Sequence, residues 1–600
     1  MSDYRPPLAE LDFVLNHVVD LGRLAGYDAF RHADPDTVRG VLDEAGRFAA
    51  EVLAPLNRVG DLQGSQLQPD GTVRTPDGWA KAYRQYVDAG WGGVAGDPEY
   101  GGGGFPWTVG LAIQEMLGSA NKSFALAALL TQGAIDMLGH FASDEWKARL
   151  LPQLVSANWS GTMNLTEPQA GSDVGALTTR AEPQPDGTYR ITGQKIFITY
   201  GEHDLTENIV HLVLARVPGA PPGTKGISCF IVPKVLINED GSLGARNDVR
   251  CISLEHKLGI HASPTCVMSF GDNGGAVGYL IGEENAGMRY MFRMMNNARL
   301  SVGVEGLAIS ERAFQQALAY AQERRQGRAP GAPVGTSSPI IEHADVRRML
   351  MTMRAGIDAM RYLVFSNAEA LDIAHHDPDP DERTRAQELA DLYTPISKAW
   401  CTDLGVELTS LALQVHGGMG YVEETGVAQH YRDARISPIY EGTNGIQAID
   451  LVGRKLPMRG GGVVHDHLAR IASLDDELAR AGDELAGSRA ALADGLAALR
   501  EATDWLLERG AADPNDALAG ATPYLRMYGL VTGGWLHLRA ALAARAVADR
   551  DGDPDGFYAA RVASARFFCE QMLPEARGLL PAVTAGASPL YALTPAQLGL

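Results

Sequence analysis

The spacing of apolar residues in this 600-residue chain changes twice along its length. In residues 37–53 and 107–116, apolar side chains recur at intervals of three and four, which is the period of one helix face. From about residue 159 to residue 270 the period becomes two, and helical spacing returns from about residue 286. Because one secondary structure cannot satisfy both periods, we predict a helical domain, a β domain and further helices, in this order.

The central segment is predicted to form several short strands. Alternating apolar runs occupy residues 189–192, 196–199, 211–214 and 227–232. Turn-forming sequences rich in Pro, Asp and Gly separate some of these runs. Short strands at this spacing indicate an antiparallel barrel or sandwich.

The segment that follows is predicted to be a helix bundle. Helical patterns cover residues 288–326, 343–374, 388–415 and 445–455. Their lengths and mostly short connections favour antiparallel packing. A linker, Met458-Arg459-Gly460-Gly461-Gly462, marks the end of this region.

Beyond the linker, leucine recurs at every seventh position, at Leu478, Leu485, Leu492, Leu499 and Leu506. Such a stripe predicts a helix face that packs against another helix. Because glycines interrupt the stripe, a bundle helix is favoured over a long free coiled coil. The predicted fold is therefore mainly α with a central antiparallel β domain, and the predicted domains are residues 1–158, 159–280, 281–458 and 459–600.

Charge and composition exclude several classes of protein. The formal net charge of −21 repels nucleic acid and anionic membranes, and a polyanionic ligand would have to be bound by specific arginines. We expect no integral membrane segment, because no apolar run approaches the roughly 18 residues that cross a bilayer. An amphipathic membrane anchor in the C-terminal helices stays an alternative, although their polar face carries more acid than base. The five cysteines lack metal-ligand spacing, which predicts reduced core thiols, no metal site and a cytoplasmic location.

A single carboxylate, Glu441, lies in the run Ile439-Tyr440-Glu441-Gly442-Thr443-Asn444-Gly445. Burial makes a carboxylate a stronger base, and the glycine after it lets a ligand approach the backbone. Taken alone, this run is more typical of a strand end or a helix cap. Its meaning depends on the other motifs of the chain.

Two further motifs lie at the start of and within the predicted strands. Residues 166–173, Thr-Glu-Pro-Gln-Ala-Gly-Ser-Asp, combine small residues and hydroxyls that suit contact with a planar or phosphorylated ligand. Residues 193–199 place an aromatic ring two positions before a hydroxyl on one strand face, which can stack on a ring and bond to its edge. The glycine cluster at 101–104 has no strand before it and is predicted to be a plain loop.

These motifs, with residues 414–420 and 440–443 after them, resemble those of the acyl-CoA dehydrogenase family. The resemblance covers residues 38–455. It implies an N-terminal helical domain, a middle β domain and a C-terminal four-helix bundle, with FAD held where the three meet. It also implies a homodimer, because one subunit contributes to the cofactor site of its partner.

The family's motifs assign roles to residues of this chain. Phe197 matches the ring that stacks on the flavin, Thr199 the hydroxyl at the flavin edge, and Arg324 the arginine that reaches a partner's FAD. The residues expected to bind FAD are Met163, Leu165, Thr166, Ser172, Phe197, Ile198, Thr199, Arg324, Gln414, Gly417, Gly418, Thr443, Asn444 and Gly445. Gly445 stands where many relatives carry Gln, so one polar flavin contact is expected to be absent or supplied by water. His416 is expected to be a loop residue rather than a base.

The resemblance implies α,β-desaturation of an acyl-CoA thioester. Glu441 would take the α-proton, flavin N5 would accept the β-hydride, and an electron-transfer flavoprotein would receive the electrons. The expected substrate-binding residues are Ser172, Asn296, Arg299 and Gly442. Sequence similarity near residues 11–15 and 51–57 points to a subgroup of this length that acts on 3-methylmercaptopropionyl-CoA or on fatty acyl-CoAs.

Three alternatives remain open at this point. An acyl-CoA oxidase would share both bond-breaking steps but pass electrons to oxygen. A DNA-associated flavoprotein of the alkylation-response branch has a similar length and extra C-terminal helices, although the C-terminal region here is poor in Lys. A nitroalkane-oxidising relative would be expected to carry Asp at position 441.

Overall fold

The computed structural model describes residues 4–599, which form two compact units. The first unit comprises residues 4–6 and 40–301, and the second comprises residues 7–39 and 302–599.

The first unit begins with helices whose boundaries are set by short polar side chains. Asn121 and Ser143 accept hydrogen bonds from the amides of Phe124 and Trp146, which satisfies amides that have no partner inside the helix. The helices of this unit, with the two that cross its sequence limits, are Pro35–Phe48, Ala54–Gln63, Trp79–Asp88, Trp107–Ala120, Lys122–Phe141, Asp144–Val155 and Gly287–Glu323.

An eight-stranded sheet forms the rest of the first unit. Along the sheet, the strands follow the order Val249–Leu254, Thr265–Phe270, Tyr189–Thr199, Ala276–Leu280, Ser228–Pro233, Asn208–Ala215 and Trp159–Asn164, and Arg180–Pro183 also pairs with Tyr189–Thr199. Trp159–Asn164 and Asn208–Ala215 pair in parallel, and every other pair in this sheet is antiparallel. Two small hairpins pair Gln66–Leu67 with Val73–Arg74 and Val235–Ile237 with Leu243–Arg246.

The second unit is helical. Its helices are Leu8–Phe13, Leu21–Ala25, Ala344–His376, Pro380–His416, Val427–Ala434, Asn444–Asp450, Gly462–Ala472, Asp475–Arg480, Ala486–Ala512, Pro514–Ala519, Ala521–Asp551, Phe557–Phe567, Glu575–Thr584 and Pro595–Leu598, in addition to the second half of Gly287–Glu323. Glycines permit the closest approaches between them. A Cβ at Gly306 would lie 2.3 Å from the backbone oxygen of Cys401, and one at Gly529 would lie 2.3 Å from the ring of Trp400. These helices therefore pack backbone to backbone or backbone to ring at these points.

A buried ionic cluster fixes residues 7–39 to the rest of the second unit. Arg354 contacts Glu10 at 3.0 Å and Asp358 at 2.9 Å, and Arg561 lies 3.4 Å from Asp358. Ser564 donates a further hydrogen bond to Asp358 at 2.8 Å. Burial would raise the pKa of Asp358, but the surrounding arginines lower it well below its usual range. Asp358 is thus ionised and hydrogen-bonded, as a buried carboxylate must be.

The predicted fold class is confirmed, with one difference in detail. We expected an antiparallel β domain, and the sheet contains one parallel pair because alternation predicts a strand but not its direction. The leucine stripe is divided: Leu478 lies in a short helix before Gly482, and Leu492, Leu499 and Leu506 lie in the helix Ala486–Ala512. All five leucines are buried, as expected of bundle helices. The four predicted domain boundaries stay predictions.

All five cysteines are buried and unbonded, as predicted. Among the described residues, one helix, Lys122–Phe141, is long and apolar enough to span a membrane, and 56% of its apolar window is buried within the protein. Core helices pass the same test, so this is weak evidence for a membrane span.

Replacement of Gly529 by Ala tests the contact with Trp400. Alanine normally favours a helix, but the added methyl would overlap the indole, so we expect Gly529→Ala to lower the free energy of unfolding by about 1–3 kcal/mol. Gly578→Ala is the matched control, because a Cβ there meets no atom within 4 Å. We expect this control to stabilise the protein by about 0.5–1 kcal/mol. Urea denaturation of both variants gives the comparison, and equal effects would contradict the proposed overlap.

Candidate active site

A β-bulge presents the ring of Phe197 to solvent. Cys266 pairs with Ile198 and Met268 pairs with Lys195, so two residues of one strand face a single residue of its neighbour. Phe197 has a φ of 60°, a left-handed conformation that is unfavourable for an aromatic residue, and it is 58% exposed. An exposed ring on strained backbone lowers stability, and such strain is concentrated at functional sites. The structure therefore leaves the ring of Phe197 available for stacking, and its contact with a flavin stays a prediction.

The Thr-Glu-Pro motif is tied to the same strand by a buried ion pair. The Lys195 ammonium lies 2.8 Å from the Glu167 carboxylate, and these side chains are 0% and 2% exposed. Lys195 also donates to the backbone oxygen of Leu165 at 3.0 Å. The amide of Ile196 donates to the backbone oxygen of Thr166 at 2.9 Å. This pairing fixes Thr166 beside the bulged strand.

The ionisation of this pair follows from its surroundings. Burial favours a neutral Glu167, but the Lys195 charge and hydrogen bonds from Thr179 and Thr178 outweigh it and lower the pKa of Glu167 to about 2. Burial also lowers the pKa of Lys195, to about 8, against the opposing effect of Glu167. The carboxylate is therefore charged at neutral pH and holds the motif through several donors at once.

The other predicted flavin residues of the first unit lie around this junction. Met163, Thr166 and Thr199 are half-buried, Leu165 and Ile198 are buried, and Ser172 is exposed. The structure thus brings the two motifs together.

Asn296 and Arg299, two of the three expected substrate residues of the first unit, lie one helical turn apart. Arg299 donates to the side-chain oxygen of Asn296 at 3.3 Å. Arg299 is buried and Asn296 is exposed, so the amide lies at the outer end of the pair. The side-chain oxygen of Asn296 therefore contacts the buried guanidinium as a neutral acceptor.

Glu441 lies in a tightly bonded loop of the second unit. Its φ of 57° is again left-handed, although it is not glycine. Gln447 donates to the backbone oxygens of Glu441 and Gly442 at 3.3 Å each. The side chain of Glu441 is half-buried. A residue in this conformation persists only where its surroundings enforce it.

Asn444 anchors this loop to the helix Pro380–His416. Its amide nitrogen donates to Ala399 and Asp403 at 3.0 and 2.7 Å, and its oxygen accepts from the buried Lys398 at 2.8 Å. Thr443 caps the next helix by accepting from the amide of Ile446 at 3.2 Å. We expected both residues to contact FAD, and the structure gives the side chain of each a bond inside the protein. Gly442 is half-buried and Gly445 is exposed, which leaves backbone on the accessible side of the loop.

Sequence reasoning missed Glu305. Its carboxylate is 7% exposed and accepts hydrogen bonds from Ser437 at 2.8 Å and from the hydroxyl of Tyr440. Tyr440 immediately precedes Glu441, and burial together with the Glu305 charge raises the pKa of Tyr440 well above its ordinary value. The signal was a lone acid in the apolar run 301–310, whose partner lies 135 residues away in sequence.

The partner-side residues predicted from the family are exposed in this chain. Arg324, Gln414, Gly417 and Gly418 all lie at the surface of the second unit, and a Cβ at either glycine would meet no atom within 4 Å. We expected His416 to be a loop residue, but it is the last residue of the helix Pro380–His416, where its ring bonds the backbone oxygen of Ala412 at 2.7 Å and stacks on Tyr320 with a ring separation of 4.4 Å. No group of three or more metal-ligating side chains occurs in residues 4–599.

Comparisons with known proteins agree with this arrangement. Residues 35–158, 162–273 and 285–456 match the models of the acyl-CoA dehydrogenase N-terminal, middle and C-terminal domains, and residues 467–594 match the acetyl-CoA dehydrogenase C-terminal-like model. The chain is 48% identical to 3-methylmercaptopropionyl-CoA dehydrogenase of Ruegeria pomeroyi, over 95% of this chain and 96% of that protein. The chain belongs to the acyl-CoA dehydrogenase family.

A second sequence relative supports this membership, and a solved structure supports the fold. A butyryl-CoA dehydrogenase of Syntrophomonas wolfei is 37% identical over 97% of both chains. ACDH-11 of Caenorhabditis elegans, solved in complex with C11-CoA, has a TM-score of 0.78 and covers 98% of this chain and 95% of its own. At 20% sequence identity, this structural likeness shows a shared fold.

Removal of the Glu167 charge from this acyl-CoA dehydrogenase tests the buried pair. Glu167→Gln leaves Lys195 without its counter-charge, so we expect the free energy of unfolding to fall by about 3–5 kcal/mol in urea denaturation. The double variant Glu167→Gln, Lys195→Met buries no charge and should lose less than the single variant. A double variant that is less stable than the single one would contradict this account.

The same variant has a pH signature. The folded pKa of Glu167 is depressed from 4.5 to about 2, so its stabilisation is complete above pH 4.5 and is lost as the pH falls towards 2. We expect Glu167→Gln to lack this part of the acid dependence of unfolding.

Proposed function

We propose that this chain desaturates a short acyl-CoA thioester between its α and β carbons, with Glu441 as the base. The chain is an acyl-CoA dehydrogenase, an oxidoreductase, and FAD is its cofactor. The observation that carries the assignment of the base is the conformation of Glu441. A carboxylate on left-handed backbone, in a loop bonded to a neighbouring helix through Asn444, is typical of a functional position.

The residues of the chain fit FAD. The exposed ring of Phe197 offers a stacking surface, and the hydroxyls of Thr166 and Thr199 offer donors beside it. Ser172, Met163, Leu165 and Ile198 would complete this part of the cofactor site. When bound, FAD supplies the acceptor for the β-hydride.

A homodimer is the proposed assembly. The surface positions of Arg324, Gln414, Gly417 and Gly418 suit a contact with the FAD of a second subunit. The open space beside both glycines would allow a dinucleotide to approach the backbone. Thr443 and Gly445 would contact FAD through their backbones, and the hydroxyl of Thr443 would also be able to donate a hydrogen bond to it.

On the substrate side, Glu441 would accept the α-proton at its carboxylate. Its backbone amide would donate to the thioester oxygen, where negative charge grows as the proton leaves. Gly442 allows the thioester to lie against the backbone. Ser172, Asn296 and the buried charge of Arg299 would bind the rest of the acyl-CoA.

Relatives favour a short acyl group. The names of the Ruegeria and Syntrophomonas relatives specify 3-methylmercaptopropionyl-CoA and butyryl-CoA, which both carry short, unbranched acyl chains. The first covers 95% of this chain at 48% identity, so we propose 3-methylmercaptopropionyl-CoA ahead of longer fatty acyl-CoAs. We propose an electron-transfer flavoprotein as the acceptor and the cytoplasm as the location.

Glu441→Gln tests the base, and a panel of thioesters tests the substrate. Under anaerobic conditions, we expect wild-type enzyme to lose its flavin absorbance fastest with 3-methylmercaptopropionyl-CoA, then with butyryl-CoA, and slowest with palmitoyl-CoA. Glu441→Gln keeps the shape of the side chain and removes its basicity, so it should bind FAD normally and bleach with none of them. Rapid bleaching of this variant would refute the assignment, and stoichiometric peroxide from wild-type turnover in air would favour an oxidase.

Glu305 is expected to position Glu441 through Tyr440. Since Glu305→Gln loses a charge-assisted acceptor for two hydroxyls, we expect flavin reduction to slow by about tenfold with unchanged FAD content. Tyr440→Phe should cause a similar loss, and the double variant should lose little more than either single one because the two residues act as a unit.

Glu311→Gln is the matched control for this cycle. Glu311 is a buried acid of the same helix, but its carboxylate pairs with Arg361 at 2.9 Å. We expect Glu311→Gln to lower stability and to leave the rate of flavin reduction within about twofold. Fully additive losses from Glu305→Gln and Tyr440→Phe would argue against a shared role.

A further inference from the structure

A cavity of about 410 Å³ in the second unit has no role in the proposed reaction. It is lined by His17, Arg470, Ser473, Glu477, Trp535 and Arg539, together with apolar side chains. None of these residues belongs to a predicted flavin or thioester site. The volume is within the range of small-molecule sites.

Two arginines of this cavity share one indole ring. The guanidinium carbons of Arg470 and Arg539 lie 5.5 and 5.0 Å from the ring centre of Trp535. Trp535 is buried, so its position is fixed by the surrounding helices. Cation–π contact therefore holds two positive charges at the wall of the cavity.

No acid neutralises these charges directly. Among residues 4–599, no carboxylate oxygen lies within 4 Å of either guanidinium, and Arg539 donates only to the backbone oxygen of Val18 at 3.4 Å. This is unexpected in a chain with 73 acidic and 52 basic residues, where acids are the more abundant partners. Keeping two like charges on one ring without a direct ion pair lowers stability, which is a common feature of binding sites.

Two carboxylates, Glu369 and Glu477, act on these arginines at longer range. Burial, followed by the charge of Arg470, lowers the pKa of Arg539, and Glu369 and Glu477 oppose this at longer range. Burial raises the pKa of Glu369, against the opposing effects of the Asp20 amide, which donates to it at 2.7 Å, and of the charges of Arg539 and Arg470. Burial also lowers the pKa of His17, which favours its neutral form. Only Glu477 opposes an incoming anion from the cavity wall.

The geometry points to an anion-binding site in this cavity, formed by Arg470 and Arg539 on Trp535, for a small carboxylate or phosphate ligand. Two planar guanidinium groups provide paired donors that match the oxygens of either group. Ser473 offers a hydroxyl beside them, and the apolar wall would accept a short hydrocarbon portion. This site is independent of the proposed desaturation.

Thermal unfolding of the full-length FAD-loaded enzyme tests the site. At constant ionic strength, sodium chloride is replaced in steps by sodium phosphate or by sodium butyrate, and Tm is recorded. We expect at least one anion to raise Tm saturably, by on the order of 1–3 °C. A rise with phosphate alone assigns the phosphate class, a rise with butyrate alone assigns the carboxylate class, and a rise with both assigns a general oxyanion site. No saturable rise with either anion would overturn the proposal.

Charge variants connect the effect to the cavity. Arg470→Gln and Arg539→Gln should each weaken the saturable response at least tenfold. In chloride alone, Arg470→Gln should also raise Tm, because it removes the like charge beside Arg539. Arg500→Gln is the matched control, since Arg500 likewise donates to a backbone oxygen, that of Leu468 at 3.4 Å, but lies outside the cavity. A response that survives in both cavity variants, or that is lost in Arg500→Gln, would overturn the assignment.

Discussion

The ion pair between Glu167 and Lys195 organises the proposed cofactor side of this enzyme. Neither partner could be buried alone, because an isolated charge in the interior costs several kcal/mol. Together they force the Thr-Glu-Pro motif to lie along the strand Tyr189–Thr199, with additional bonds to Thr178 and Thr179. The bulge that exposes Phe197 begins at the residue after Lys195. A single electrostatic requirement thus sets the position of both a hydroxyl and an aromatic ring.

Much of the fold could be predicted from the sequence, since the period of apolar residues is a local property. Long helices, short strands and the buried leucine stripe follow directly from it. Pairing partners do not: alternation cannot tell that Trp159–Asn164 runs parallel to Asn208–Ala215. The bulge at Phe197 was likewise hidden, because a register shift depends on two strands that are distant in sequence.

The candidate site shows the same division between local and distant information. Motifs could single out Glu441 and Phe197 as candidates, because family resemblance acts residue by residue. The contacts around Glu441 could not be found in this way. Lys398 lies 46 residues from its partner Asn444, and Glu305 lies 136 residues from Glu441. Asn444 illustrates the consequence: its motif suggested a ligand contact, and its side chain is occupied by the neighbouring helix. Motifs identify which residues matter more reliably than they identify what each one does.

The left-handed conformations of Phe197 and Glu441 carry a further consequence for evolution and engineering. Each costs on the order of 1–2 kcal/mol that glycine would not incur. A selection for thermal stability alone would therefore favour glycine at both positions and would erase the proposed stacking ring and the proposed base. The present residues mark places where this chain has retained a less stable backbone than its fold permits. Stability-guided redesign of such enzymes should exclude these two positions from the outset.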